Sequence, residues 1–387
     1  MKILIVTGEI YPRLSNNANL LGKLIPFLQQ KHEIRVLSLG GRNTKQKHDV
    51  FFGAKLYRLD TSKISGFRRK LLYPIASKLF DHAGRSDYII TKFASHTIKE
   101  IRQEFPFEAI LSSSEPFPAA DLFREYRDVR SILYLMDPPG CIQSLEGTRY
   151  RNRKLPAVFK CSDCILTTPF IHAALTDMGQ AKGTAIEEVG FPMICNASPA
   201  VSGPKQDEKI SLLFCGWLCS DIRSPKYFLD ILSRLDERFT VTFMGRECPR
   251  LTKRFQIETK AELITLPQQP YETALQAMAD ADILINIGNS VPVHMPSKTL
   301  EYINTGKPVV NFYKMDDCPT LYYTKRYPLC LNLSEQDQDI DAAAKRFIDF
   351  CITSKGKTVD RTFIEAEYAD CTPEYISQKI LGALEES

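Results

Sequence analysis

The chain is built from short runs of β-branched and other apolar residues, each followed by an amphipathic segment, and this alternation is traversed twice. The first series of runs is Ile3–Thr7, Ile34–Leu39, Leu56–Leu59, Ala109–Ser112, Ile132–Met136, Ile165–Thr168 and Ile186–Val189. Helical patterns such as Asn19–Gln30 and Ser95–Glu104 lie between them. Strands apolar along their whole length are buried on both faces, which calls for a mostly parallel sheet with helices above and below it. Ser, Pro, Gly, Lys and Asp crowd Asn196–Lys209, the composition of a linker. The alternation then restarts with Ile210–Cys215, Thr240–Met244, Leu263–Leu266, Ile283–Ile287, Val309–Phe312 and Leu329–Leu331. The expected class is α/β, with two doubly wound domains over 1–195 and 210–372 joined by a linker over 196–209. A length of 387 residues suits two cores better than one.

A net charge of +4 is small for this length and gives no reason to expect a nucleic-acid partner. The 11 cysteines are odd in number and scattered through apolar segments, which suits buried thiols in a reducing, cytoplasmic setting. Cys161 and Cys164 form a lone C-x2-C with no second ligand pair at zinc spacing, so both are read as core. The apolar run within Met1–Thr7 is too short for a signal peptide, and no window reaches the ~20 apolar residues of a spanning helix. No D-x-D stands at a strand end, and Asp316-Asp317 is an isolated pair on a late loop. No G-x-G-x-x-G follows the first strand either, so the dinucleotide fingerprint is missing. Neither a metal nor a cofactor is expected.

Chemistry is concentrated in Met295–Val310, which reads Met-Pro-Ser-Lys-Thr-Leu-Glu-Tyr-Ile-Asn-Thr-Gly-Lys-Pro-Val-Val. Pro296 and Ser297 stand where a helix starts, Gly306 where it stops, and Pro308 just beyond. A helix opening with free backbone N–H groups, the Ser297 hydroxyl and the Lys298 ammonium is suited to an anion. Glu301 lies one turn inside, where it can accept hydrogen bonds from hydroxyls beside that anion. A phosphate next to a polyol describes a nucleotide sugar.

The same stretch, P-S-K-x-x-E-Y followed by T-G-K-P-V-V, resembles the donor-binding segment of GT-B glycosyltransferases, especially those that build bacterial capsules and other surface polysaccharides. The resemblance implies two Rossmann-like domains facing a central cleft, with the last helix, 373–387, crossing back onto the first domain. It implies transfer of a sugar from a UDP- or GDP-sugar to a saccharide or lipid-linked acceptor, without a metal and with retention at the anomeric carbon. Lysine, arginine and a helix N-terminus would replace a cation at the leaving diphosphate. Relatives place a glycine after the first strand of the second domain, then an arginine, then a further basic residue. Here these positions hold Gly216, Trp217 and Arg223, so the first cation is missing and the second is present; Lys226 is a surface lysine or a helper. Relatives also carry a Glu-x7-Glu pair whose members contact donor sugar and ribose. Val293 replaces the first and Glu301 matches the second, which leaves the sugar contact to Asn289 or His294. Gly245 matches a glycine that relatives keep near the nucleotide, and Arg246 after it is left unassigned.

Ligands of doubly wound domains sit at the carboxyl ends of the strands. In the first domain this side carries the loop Glu9–Asn17, the segment Ser112–Glu115 and Asp137. Where relatives have paired glycines, this chain has Asn16 and Asn17, read as acceptor contacts; the alternative is a helix N-cap at Ser15 or Asn16. Ser114 is the third acceptor candidate, and Asp137 or Glu115 the group that orients or deprotonates the acceptor hydroxyl. Alone, Asp137 reads as a turn cap and Glu115 as a solvated carboxylate. The basic amphipathic segment 63–80 reads either as a helix packed on the first domain or as a peripheral contact with an anionic membrane at its inner face. Two further classes stay open: a nucleotide-sugar epimerase of the same fold, and a non-catalytic scaffold, which Trp217 and Val293 favour.

Overall fold

The computed structural model describes residues 1–10, 14–40, 49–59, 82–137, 148–177, 183–195, 209–220, 222–255 and 258–385. The basic segment 63–80 lies outside them, as do residues 196–208 of the linker. The chain divides into two compact units, one formed by Met1–Pro192 with Asp370–Ser387 and the other by Met193–Ala369. The division falls a few residues before position 195 for a local reason. Cys195 exchanges two hydrogen bonds with the Asn304 side chain, its N–H donating at 3.1 Å and its carbonyl accepting at 3.2 Å, which ties it to the second unit.

The first unit holds β1 (Lys2–Thr7), β2 (Glu33–Ser38), β3 (Val50–Phe51), β4 (Ala54–Arg58), β5 (Ala109–Ser113), β6 (Arg130–Leu135), β7 (Cys164–Thr167) and β8 (Ala185–Glu188). Their order across the sheet is β3-β4-β2-β1-β5-β6-β7-β8. All neighbours are parallel except the short β3–β4 pair. Chain order reverses between β1 and β5, which brings the loops after these two strands side by side. The helix Asn16–Leu28 starts earlier than its apolar spacing suggests, because Ser15 accepts the Ala18 N–H at 3.3 Å and caps it. The final helix, Pro373–Glu385, belongs to this unit and buries Ile376, Ile380 and Leu384. Ser377 donates to the Leu24 carbonyl at 3.5 Å, and Arg130 to the Ala383 carbonyl at 2.9 Å. Cys161 and Cys164 are both buried, as core residues are.

The second unit holds β9 (Ile210–Cys215), β10 (Phe239–Met244), β11 (Glu262–Leu266), β12 (Ile283–Ile287), β13 (Val309–Tyr313) and β14 (Cys330–Ser334). The sheet order is β11-β10-β9-β12-β13-β14, all parallel, with the reversal between β9 and β12. An aromatic cluster fills the core on one face: Phe228 lies 5.1 Å from Phe312, 5.6 Å from Phe243 and 5.9 Å from Phe347, centre to centre. A ladder of amides crosses three strands in register. Asn286 donates to Asn311 at 2.7 Å, and Asn311 to Asn332 at 2.8 Å. Thr299 donates to Asn286 at 3.2 Å and Thr324 to Asn332 at 2.7 Å, so helices Lys298–Asn304 and Pro319–Thr324 are fixed to the sheet through it. Buried amides are stable here because each finds a partner.

Candidate functional site

In the second unit the reversal between β9 and β12 brings two loops together. The first, Gly216–Pro225, carries Arg223; the second, Gly288–Ser297, leads into the helix Lys298–Asn304. Ser290 N–H donates to the Ile222 carbonyl at 2.7 Å, joining them. Asn289, only 1% exposed, is the hub of this junction. Its Oδ1 accepts from Arg223 Nε at 2.9 Å, while its Nδ2 faces His294, donating to the carbonyl at 2.8 Å and lying 3.0 Å from Nδ1. Arg223 Nη1 also reaches the Trp217 carbonyl at 3.4 Å. Among the described residues, the Arg223 guanidinium therefore has neutral partners. Desolvation by its surroundings lowers its pKa from 12.5 to about 10, which leaves it charged at neutral pH.

Lys298 and Glu301 form an ion pair one turn apart on the helix, with Glu301 8% exposed. Burial works against the Lys298 ammonium, but the Glu301 carboxylate outweighs it and raises the pKa above its ordinary value. Tyr302, fully buried, clamps the helix to the end of β9: its hydroxyl donates to the Cys215 carbonyl at 3.0 Å and accepts the Cys215 N–H at 2.8 Å. The expected free N–H groups at the start of this helix need correction. Thr299 N–H donates to the Pro296 carbonyl, and those of Leu300 and Glu301 to Ser297, so a tight first turn already engages these three. The Ser297 side chain does not cap the helix.

Gly216 leaves ordinary room for a side chain, whereas Gly245 does not. At φ +141, a Cβ on Gly245 would stand 1.9 Å from the Gly216 carbonyl oxygen, so these two main chains touch. Val293, in place of the expected glutamate, sits at φ +59, a conformation rare for a β-branched residue. Sequence reasoning missed the Tyr302 clamp and the Thr299–Asn286 bond, although both residues lie on or beside the P-S-K-x-x-E-Y stretch.

In the first unit, Asn17, Glu115 and Asp137 come together at the ends of β1, β5 and β6. Asn17, 7% exposed, donates to Asp137 Oδ2 at 3.2 Å and to the Glu115 carbonyl at 3.3 Å. Ser113 donates to the same carbonyl at 2.7 Å. Asn16 is exposed on the first turn of its helix, while the Ser114 hydroxyl is buried with no hydrogen-bond partner among the described residues. The Tyr11–Arg13 part of the first loop and Pro138–Gly140 after Asp137 lie outside the described residues. Among the described residues, no group of three or more His, Cys, Asp or Glu side chains is placed to hold a metal ion. No helix there is long and apolar enough to cross a membrane.

No family model matches the sequence, and no curated protein does. Solved structures do match over nearly the whole chain. An Anabaena protein, HepE, in complex with UDP and glucose, superimposes with a TM-score of 0.66 at 12% identity, covering 100% of both chains. Sucrose-phosphate synthase from Thermosynechococcus elongatus gives 0.65 at 11% identity, covering 98% of this chain and 97% of that one. The apo form of the lipopolysaccharide outer core galactosyltransferase WaaB gives 0.61 at 12% identity, covering 99% of each. The fold is GT-B, with two parallel sheets in separate units.

Proposed function

We propose that the protein is a glycosyltransferase that moves a sugar from a nucleotide-diphosphate sugar, with UDP or GDP as carrier, to a saccharide or lipid-linked acceptor of surface-polysaccharide synthesis. The observation that carries this reading is Arg223: a desolvated guanidinium with neutral partners, at the reversal point of a doubly wound sheet. A partly buried charge without a counter-ion among the described residues is costly, and a diphosphate supplies one. Lys298 stands on the adjoining helix, and Glu301 accepts from the ribose in exchange for part of its bond to Lys298. Fold neighbours give indirect support, since HepE was solved with UDP and WaaB is described as a lipopolysaccharide galactosyltransferase.

In this mechanism the bond from the anomeric carbon to the β-phosphate oxygen breaks, and the acceptor oxygen forms the new bond. The developing phosphate charge is met by Arg223 and Lys298, so the reaction needs no metal. Asp137, held by the Asn17 amide that also binds the Glu115 main-chain carbonyl, orients the acceptor hydroxyl or takes its proton. Retention at the anomeric carbon is the proposed outcome. Asn289 is buried with its amide engaged by Arg223 and the His294 carbonyl, so the donor-sugar contact that Val293 lacks the chemistry to make is assigned to His294.

Thermal unfolding with UDP, GDP and CDP, for the wild type, Arg223→Ala and Lys298→Ala, tests the donor site. A ligand at ~100 times its dissociation constant adds about 2.7 kcal/mol. One diphosphate should raise the wild-type midpoint, and neither variant should respond. Incubation with a panel of sugar donors then separates transfer or slow hydrolysis from epimer formation. No stabilisation by any diphosphate would favour the scaffold reading.

A further inference from the structure

The loop after β9 is accompanied by a second cation that the donor site described so far does not use. Trp217, the chain's only tryptophan, exposes 40% of its surface at the carboxyl end of a central strand. Arg246, on the loop after β10, holds its guanidinium carbon 5.3 Å from the centre of that ring. The two loops are laced through their backbones. Gly216 N–H donates to the Met244 carbonyl at 2.9 Å, and Leu218 N–H to the Arg246 carbonyl at 3.1 Å. Gly245, between them, has no room for a Cβ. Arg246 is thus located at both ends, by its main chain and by the indole.

On the other side of the same residue, the Trp217 carbonyl accepts from Arg223. Two guanidinium groups bracket position 217, and among the described residues neither is paired with a carboxylate. A cation carried on a ring face is positioned without spending its N–H donors, and those donors match phosphate oxygens. Lys298 contributes less net charge, because Glu301 is bound to it.

We infer that Arg246, carried on the face of Trp217, is a second phosphate-binding cation of the nucleotide site and replaces a basic side chain at position 217. This rests on the reading of the second unit as a nucleoside-diphosphate site, and the test separates the two. UDP and GDP are titrated calorimetrically into the wild type, Arg223→Gln, Arg246→Ala and the double variant Trp217→Arg/Arg246→Ala, each first shown to melt cooperatively. Arg246→Ala should weaken the bound diphosphate by about tenfold, the scale of one charge-assisted hydrogen bond. The double variant should return to within about threefold of the wild type, because the charge is restored next door. If Arg246→Ala binds as the wild type does while Arg223→Gln loses the ligand, the nucleotide site stands and Arg246 is not part of it. A loss that Trp217→Arg fails to restore also overturns the inference, since the missing element is then not a charge at that place. If the wild type binds neither diphosphate, the nucleotide reading itself falls and takes this inference with it.

Discussion

Gly245→Ala is the sharpest test of the backbone contact on which the second unit's site is built. Two costs add at this position. An alanine at φ +141 is outside the comfortable range of an L-residue, worth ~1–2 kcal/mol. Its Cβ would also lie 1.9 Å from the Gly216 oxygen and 2.7 Å from its carbon, both backbone atoms that cannot rotate away. Relief requires the β9 and β10 loops to part by roughly an ångström, which strains the Gly216–Met244 and Leu218–Arg246 hydrogen bonds, each worth ~1 kcal/mol net and more if its groups are left buried and unpaired. The expected destabilisation is ~3–5 kcal/mol. Gly356→Ala supplies the control. That glycine has φ +75 just past the end of the helix Ile340–Ser354, and a Cβ there would meet nothing within 4 Å among the described residues, so it carries the conformational cost alone, ~1 kcal/mol. Urea unfolding of both variants gives the difference directly, and in a thermal scan each kcal/mol moves the midpoint by ~2–4 °C for a unit of this size. Equal destabilisation by the two substitutions would refute the close approach of Gly245 to Gly216.

Three further outcomes follow from the hydrogen-bond and charge partners. Asn311→Leu should cost ~2–4 kcal/mol in chemical unfolding, because it strands the buried Asn286 amide, whereas replacing Asn286, Asn311 and Thr299 together by apolar residues should cost less than the single change. Lys298→Met leaves Glu301 as a buried carboxylate without its partner and should cost ~3 kcal/mol, largely recovered by adding Glu301→Gln. Because the folded Lys298 pKa is raised above 10.5, the pair's contribution is complete below that pH, and the stability gap between wild type and Lys298→Met should close as pH rises beyond it. Asp137→Asn should slow transfer by ~10²–10⁴-fold in initial-rate assays while diphosphate affinity stays within ~2-fold, and Asn17→Ala should show a smaller loss of the same kind.

The strand series is legible in the sequence because parallel strands buried on both faces must be apolar throughout, and each of the thirteen runs named from it overlaps a strand. Their ends shift by one to three residues, where a cap or turn rather than apolar pattern sets the boundary, as Ser15 does for the helix Asn16–Leu28. The two-residue β3 carries too little pattern to be seen. The amide ladder was illegible for another reason. Asn286, Asn311 and Asn332 each look like a stray polar residue in the middle of an apolar run, and only the register of β12, β13 and β14 makes them neighbours. Gly245 is likewise one glycine after one strand until the sheet brings Gly216 against it. The residues of P-S-K-x-x-E-Y are local, and the i,i+3 spacing that pairs Lys298 with Glu301 can be read directly.

That pairing changes how the cations of the second unit divide their work. A lysine bound to a carboxylate presents a dipole to an approaching anion, and the field of a dipole falls faster with distance than that of a single charge. Arg223, with an amide and a carbonyl as partners, keeps its whole charge. Attraction at a distance should therefore depend on Arg223 and, where it shares the site, Arg246, and Lys298 should matter only at contact, when a phosphate oxygen competes with Glu301 for the ammonium. The same competition frees one side of the Glu301 carboxylate, which is then available to accept a hydroxyl from the sugar attached to that phosphate. Lys298 and Glu301 read as a motif of two separate contacts; their geometry makes them one exchangeable pair, so a ligand that engages the first also prepares the second.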